Sequence, residues 1–291
     1  FGKKQGAHGG VWECPDLFPL KVDGVEKWVL LISINPGAPN GGSGTQYFIG
    51  DFDGKTFTSD QKDIKWIDWG TDNYAGVTYN NTPDNNRVFI GWMSNWSYAR
   101  DTPTEKWRSA MTIPRNLSLK KIEKEYHLIN YPVQYISSIT EKDLVEKVSL
   151  SASSEVLISN TNLNQSEIKF VTSARNFSIA LQNDNSDLLS LQMNGGENIF
   201  LLDRSKSGKV DFQKDFGSIQ KMPITNLPDG KIEVRILMDW SSVEIFINKG
   251  QYVMTAQVFP NTNYSKLVFK NNSDQEIDLG EVSISKINSV W

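Results

Sequence analysis

The sequence predicts an all-β protein, and three observations carry that expectation. Apolar runs of strand length end at turn residues in the first half, apolar and polar residues alternate in the second, and only residues 140–146 read as a short helix. Residues 28–34 form an apolar run that exits into Asn35-Pro36-Gly37, which fits a buried strand. Residues 37–44 are too rich in glycine to pack or to hold a helix, so they form a loop, either a surface connection or the wall of a cleft. Residues 47–52 form the next strand, and Asp53-Gly54 marks a hairpin after it. Residues 87–93 form another buried strand.

Asn130-Tyr131-Pro132 breaks this pattern. Beyond it, strands are expected at 167–172, 177–182, 188–193, 198–203, 231–238, 243–248, 252–259 and 266–271. Asn194-Gly195-Gly196, Ser207-Gly208, Asp229-Gly230 and Lys249-Gly250 separate them. The alternation in Ile232-Glu233-Val234-Arg235-Ile236 is that of half-buried antiparallel strands, and many short strands at this spacing predict a β-sandwich. The expected organisation is a first domain at 1–130, a linker at 131–148 and the sandwich at 149–291.

Composition excludes several function classes. The 291 residues are 38% hydrophobic and 22% charged, which is neither a disordered nor a membrane composition. No apolar run approaches the ~18–20 residues of a membrane span. A net charge of −4 leaves no basic surplus for gripping nucleic acid. The single cysteine, Cys14, rules out an internal disulfide and a cysteine-cluster metal site, and two histidines rule out a histidine-rich one. No metal or organic cofactor is expected. Seven of the nine tryptophans (Trp12, Trp28, Trp66, Trp69, Trp92, Trp96 and Trp107) precede residue 108, so the first domain holds the flat aromatic faces. They suit either sugar rings or a β-rich core.

The densest chemical cluster is His8-Gly9-Gly10-Val11-Trp12-Glu13-Cys14-Pro15-Asp16. Glu13 lies among apolar neighbours. It either points to solvent from a strand end, or is desolvated, which raises a carboxyl pKa and makes a general acid.

This stretch resembles the Glu-Cys-Pro motif of glycoside hydrolase family 32, the invertases, inulinases and levanases. Asn35-Pro36-Gly37-Ala38 with Gly41-Gly42-Ser43, and Gln46-Tyr47-Phe48-Ile49-Gly50-Asp51-Phe52, are similar to the segment that follows it there. Asp72-Asn73-Tyr74-Ala75 resembles the family's Asp-x-Tyr-Ala motif. Gly91-Trp92-Met93-Ser94-Asn95-Trp96 and Trp107-Arg108-Ser109-Ala110-Met111 resemble further blocks in the same order. Leu202-Asp203-Arg204-Ser205 and Ser242-Val243-Glu244-Ile245-Phe246 resemble the appended sandwich, although Trp240 stands where the family more often has arginine.

The resemblance implies a five-bladed β-propeller followed by a β-sandwich, and retaining hydrolysis of β-fructofuranosidic bonds in fructans (levan, inulin) or sucrose. That chemistry uses two carboxyl groups about 5–5.5 Å apart. Glu13 matches the acid/base, and Cys14 a position that tunes it or a small buried hydrophobe. Asp72 matches a residue that hydrogen-bonds fructose hydroxyls, or is a turn aspartate. Trp92 matches a wall of the fructose pocket, or packs in the core. Trp107, Asn95 and Trp96 are further candidates.

The family's nucleophile and third carboxylate lie in motifs upstream of Glu-Cys-Pro, and no nucleophile is assigned in this chain. Neither Pro83-Asp84-Asn85 nor Arg100-Asp101-Thr102-Pro103 has the motif order, and both lie downstream of Glu13. About 130 residues are also too few for five four-stranded blades of ~5–6-residue strands. The expectation is therefore an incomplete propeller holding its later blades, inactive alone and partnered by a missing N-terminal part. A non-catalytic fructan-binding module and a fructosyltransferase are the alternatives. Polymeric substrates imply an extracytoplasmic location.

Overall fold

The computed structural model describes residues 1–159 and 163–290, apart from the side chains at 142 and 143. The first domain is two antiparallel sheets. In the first, β1 (Val11–Val22), β2 (Val25–Asn35), β3 (Gly44–Phe52) and β4 (Phe57–Thr58) pair in order, with β5 (Lys65–Trp66) also on β3. In the second, β6 (Tyr74–Thr78), β7 (Arg87–Met93), β9 (Arg115–Ile122) and β10 (Glu125–Pro132) pair in order, with β8 (Ala110–Met111) also on β7. Apolar residues of both sheets share one core, including Phe18, Val29, Leu31, Ile49, Phe89, Leu117 and Leu128. Each such burial stabilises by roughly 1.5–3 kcal/mol.

The two sheets stand as adjacent propeller blades. Among the described residues β1 pairs only with β2, and β6 only with β7, so each ends its sheet. Side chains bridge them. Asp16 Oδ2 on β1 accepts from the Thr78 amide at 2.7 Å and hydroxyl at 2.8 Å on β6, and Ser33 Oγ on β2 accepts from the Ala75 amide at 3.1 Å.

The second domain is a β-sandwich. Its strands are β11 (Thr140–Leu150), β12 (Glu155–Ser159), β13 (Ser166–Thr172), β14 (Asn176–Gln182), β15 (Leu188–Asn194), β16 (Ile199–Lys206), β17 (Ile219–Pro223), β18 (Ile232–Asp239), β19 (Ser242–Ile247), β20 (Tyr252–Gln257), β21 (Lys266–Asn271) and β22 (Ile277–Ile287). One sheet has the order β11-β22-β13-β18-β19-β20 and the other β12-β21-β14-β15-β16-β17. The inner faces meet in a core where the Phe170 ring lies 5.8 Å from those of Phe177 and Phe269. All eight strands expected between 167 and 271 are present, with ends displaced by three residues at most.

Three expectations are corrected. Residues 140–146 are strand: β11 pairs with β22 from Thr140↔Ile287 to Leu150↔Ile277, and this long-range pairing overrides local helix preference. A 3-10 turn at Gln134–Ile139 is the only helical element among the described residues. The expected linker at 131–148 is thus the end of β10, that turn and most of β11. Finally, β18 is not half-buried: Val234, Arg235, Ile236, Leu237 and Met238 are all buried. Its second face is covered, since Leu237, Phe246 and Val253 pack with Ile113, Tyr131 and Val133 of the first domain and its exit.

Strand β20 also binds the segment before β6. The amides of Trp69 and Asp72 donate to the carbonyls of Val253 and Thr255 at 2.8 and 3.1 Å, and those of Thr255 and Gln257 donate to Asp68 and Asp72 at 2.8 and 2.9 Å. Gly70 permits this approach, because a Cβ there would sit 2.0 Å from the Thr255 carbonyl oxygen. Gly70→Ala is expected to cost about 1–3 kcal/mol by overpacking backbone that cannot retreat. Denaturant unfolding checks this, and an unchanged midpoint would contradict the close seam.

Candidate active site

Glu13 lies on β1 at a β-bulge. Glu13 pairs with Ser33 and Asp16 with Leu31, so β1 carries one extra residue, and Cys14 takes the left-handed φ of 51°. Pro15 suits the irregular position because it has no amide to leave unpaired. A bulge re-aims the side chain beside it, and here the Glu13 carboxylate accepts a hydrogen bond from the Tyr74 hydroxyl on β6. Tyr74 is 4% exposed. Burial and then the bond to Glu13 push its hydroxyl well above the ordinary tyrosine range, so it stays a donor near neutral pH.

Glu13 is exposed, so of the two placements expected for it the structure shows the solvent-facing one and not the desolvated one. Its sequence neighbours are not its spatial neighbours: Trp12 stacks on His8 at 5.0 Å and packs against Phe48 at 5.7 Å. Cys14 is exposed as well, not a buried hydrophobe. Its thiol is shifted up by partial burial and then by the Glu13 charge.

An aromatic row leads away from Tyr74. Its ring centroid lies 6.2 Å from that of Trp92, which lies 5.0 Å from that of Trp96. Trp92 is partly buried on β7, whereas Trp96 is 47% exposed with the Arg100 guanidinium 6.0 Å from its ring. Together these residues present a carboxyl, a phenol and flat aromatic surface in sequence. Trp107 is exposed on the connection from β7 to β8, and among the described residues no ring contact joins it to the row.

Asn95 is buried beneath Trp96 and acts as a brace. Its Nδ2 donates to the Thr71 and Gly41 carbonyls at 2.8 and 3.2 Å, and its Oδ1 accepts from the Ser97 and Ser43 amides at 3.0 and 3.3 Å. It thereby pins the glycine-rich loop, where a Cβ on Gly42 would lie 1.9 Å from Asn95 Oδ1.

Asp72 is fully buried and faces the seam between the domains. Its Oδ2 accepts from Arg204 Nη1 at 2.7 Å and the Gln257 amide at 2.9 Å, and its Oδ1 from the Tyr98 hydroxyl at 2.7 Å. Asp72, expected either to meet fructose hydroxyls or to close a turn, here has both carboxylate oxygens bonded to protein groups of the seam. Tyr74, two residues on, reaches Glu13 instead. It stands inside the Asp-x-Tyr-Ala block, the one signal that could have found it.

Among the described residues, no group of His, Cys, Asp and Glu converges as a metal site. Two grooves of about 610 and 640 Å3, one beside Lys27, Asp51 and Tyr126 and the other beside Lys169, Phe170 and Ser283, hold neither Glu13 nor the tryptophan row.

Two family descriptions match the chain: the N-terminal domain of glycosyl hydrolases family 32 over residues 1–132, and the C-terminal domain of that family over residues 133–287. The extracellular exo-inulinase of Aspergillus niger is 38% identical over 306 residues, covering 98% of this chain and 56% of that protein. The levanase of Bacillus subtilis strain 168 is 36% identical over 304 residues, covering 100% of this chain and 45% of that protein. The chain thus spans about half the length of the curated relatives it matches. The crystal structure of exo-inulinase from Aspergillus awamori superimposes with a TM-score of 0.89 at 34% identity, covering 100% of this chain and 59% of that one.

Proposed function

The chain belongs to the glycosyl hydrolases of family 32, and from that premise we propose that it serves the cleavage of β-fructofuranosidic bonds in fructans or sucrose, with Glu13 as the acid/base. The observation that carries this reading is the Glu13 carboxyl held by the buried Tyr74 hydroxyl at the head of the Trp92–Trp96 row. In a retaining mechanism Glu13 gives its proton to the leaving oxygen, then takes one from the water that releases fructose. Tyr74 orients the carboxyl, and Trp92 and Trp96 offer faces to the C–H surfaces of the sugar. Trp107 is a further candidate for substrate contact from its exposed position. Polymeric fructans, and relatives named extracellular, favour an extracytoplasmic location.

The mechanism also needs a carboxylate nucleophile, and we assign that role to no described residue. Asp16, the next acid along β1, is tied by two hydrogen bonds to Thr78. The 291-residue chain alone is therefore expected to release no fructose from levan or inulin, since the covalent route needs its nucleophile. Fructose release by the purified chain, abolished by Glu13→Gln, would show that it carries a nucleophile of its own.

A further inference from the structure

Arg204 belongs to the sandwich, yet its side chain is 0% exposed and reaches into the first domain. Its Nη1 donates to Asp72 Oδ2 at 2.7 Å and the Gln257 carbonyl at 3.0 Å, its Nη2 to the Tyr98 hydroxyl at 2.8 Å, and its Nε to the Phe216 carbonyl at 2.7 Å. The guanidinium lies 3.9 Å from the centroid of the Phe216 ring. A planar fork held at this many points fixes its partners in position as well as in charge.

Both partners carry the site. Asp72 is two residues before Tyr74, and its own amide is bonded to β20 at 3.1 Å. Tyr98 closes the turn that presents Trp96, through its amide to the Asn95 carbonyl at 3.1 Å. The same hydroxyl that accepts from Arg204 donates to Asp72 at 2.7 Å, so the two segments are locked to each other and to the sandwich. We infer that Arg204 is a positioning residue: through Asp72 and Tyr98 it holds the Tyr74 hydroxyl against Glu13 and Trp96 beside Trp92. The sandwich is then part of how the acid/base is aimed. This inference rests on Glu13 being the acid/base, but it concerns the geometry around Glu13 and can be read without turnover.

The test is the 13C resonance of tyrosine Cζ in the full 291-residue chain, which reports the hydrogen bonding of each phenol. Tyr74→Phe identifies the Tyr74 signal, and Glu13→Ala gives its position with the acceptor removed. Tyr98→Phe and Arg204→Lys are expected to move it most of the way to that position, and Arg204→Met at least as far as Arg204→Lys. Ile179→Val, in the sandwich core on β14, which pairs with β15 and β21 and not with β20, is expected to leave it in place. Should Arg204→Met fail to fold, Tyr98→Phe decides. An unmoved Tyr74 signal in folded Tyr98→Phe and Arg204→Lys overturns the inference, as does an equal shift in Ile179→Val. Unimpaired turnover of Glu13→Gln in a form of the protein that releases fructose would instead remove the acid/base reading and leave the measured coupling standing.

Discussion

Replacing Asp68 by alanine is expected to destabilise the protein by about 3–5 kcal/mol, the usual loss when one partner of a buried charged network is removed. Asp68 is 3% exposed and accepts five hydrogen bonds. Its Oδ1 takes the amides of Gly70 and Thr255 at 2.8 Å each, and its Oδ2 takes Arg115 at 2.9 Å, the Thr255 hydroxyl at 2.6 Å and Asn73 at 3.1 Å. Alanine leaves these donors without their acceptor in a buried seam, and leaves Arg115 with Glu244 and the Thr255 hydroxyl. Asp68→Asn keeps an acceptor oxygen but loses the charge, and is expected to fall between the two. Denaturant unfolding gives the measure, read by tryptophan fluorescence for the first domain, which holds Trp12, Trp28, Trp66, Trp69, Trp92, Trp96 and Trp107, and by circular dichroism for the whole. Loss of the seam is expected to separate the two curves, with the fluorescence transition first. Coincident transitions at the original midpoint would mean that the seam contributes nothing to stability.

Glu13→Gln carries the largest expected effect on activity. In any form of the protein that releases fructose from levan or inulin, the rate is expected to fall by about 10²–10⁴, the usual contribution of a positioned general acid. Glutamine preserves an acceptor for the Tyr74 hydroxyl but has no proton to give. The fold is therefore expected to persist, with unfolding midpoint and circular dichroism near those of the parent. A comparable loss of stability would assign the effect to structure instead of chemistry.

The strands that were legible are those whose local pattern survives folding. Residues 87–93 read as a strand and are β7, paired with β6 on one side and β9 on the other. Residues 140–146 read as a helix because nothing local announces β22, more than a hundred residues away, as their partner. The same separation governs the site. Glu13 is found within its motif, but its partner Tyr74 is 61 positions on and meets it only because β1 and β6 lie side by side. Asp72 looks free in the sequence and is not, since its cation comes from Arg204, 132 positions later. Asn95 likewise reads as a sugar contact until the loop at 41–43 is folded onto it. Motif order pointed to β1, the start of β6 and β7, while the direction of each side chain depends on tertiary contacts that spacing does not encode.

The most direct test of Glu13 as proton donor compares two leaving groups in the Glu13→Gln variant, using a form of the protein that turns over both. Levan releases a sugar alkoxide that needs protonation, whereas an aryl β-fructofuranoside releases a stabilised phenolate that needs little help. The account predicts that the levan rate collapses while departure of the aryl group is largely retained. Equal loss on both substrates, or an unchanged levan rate, would contradict it.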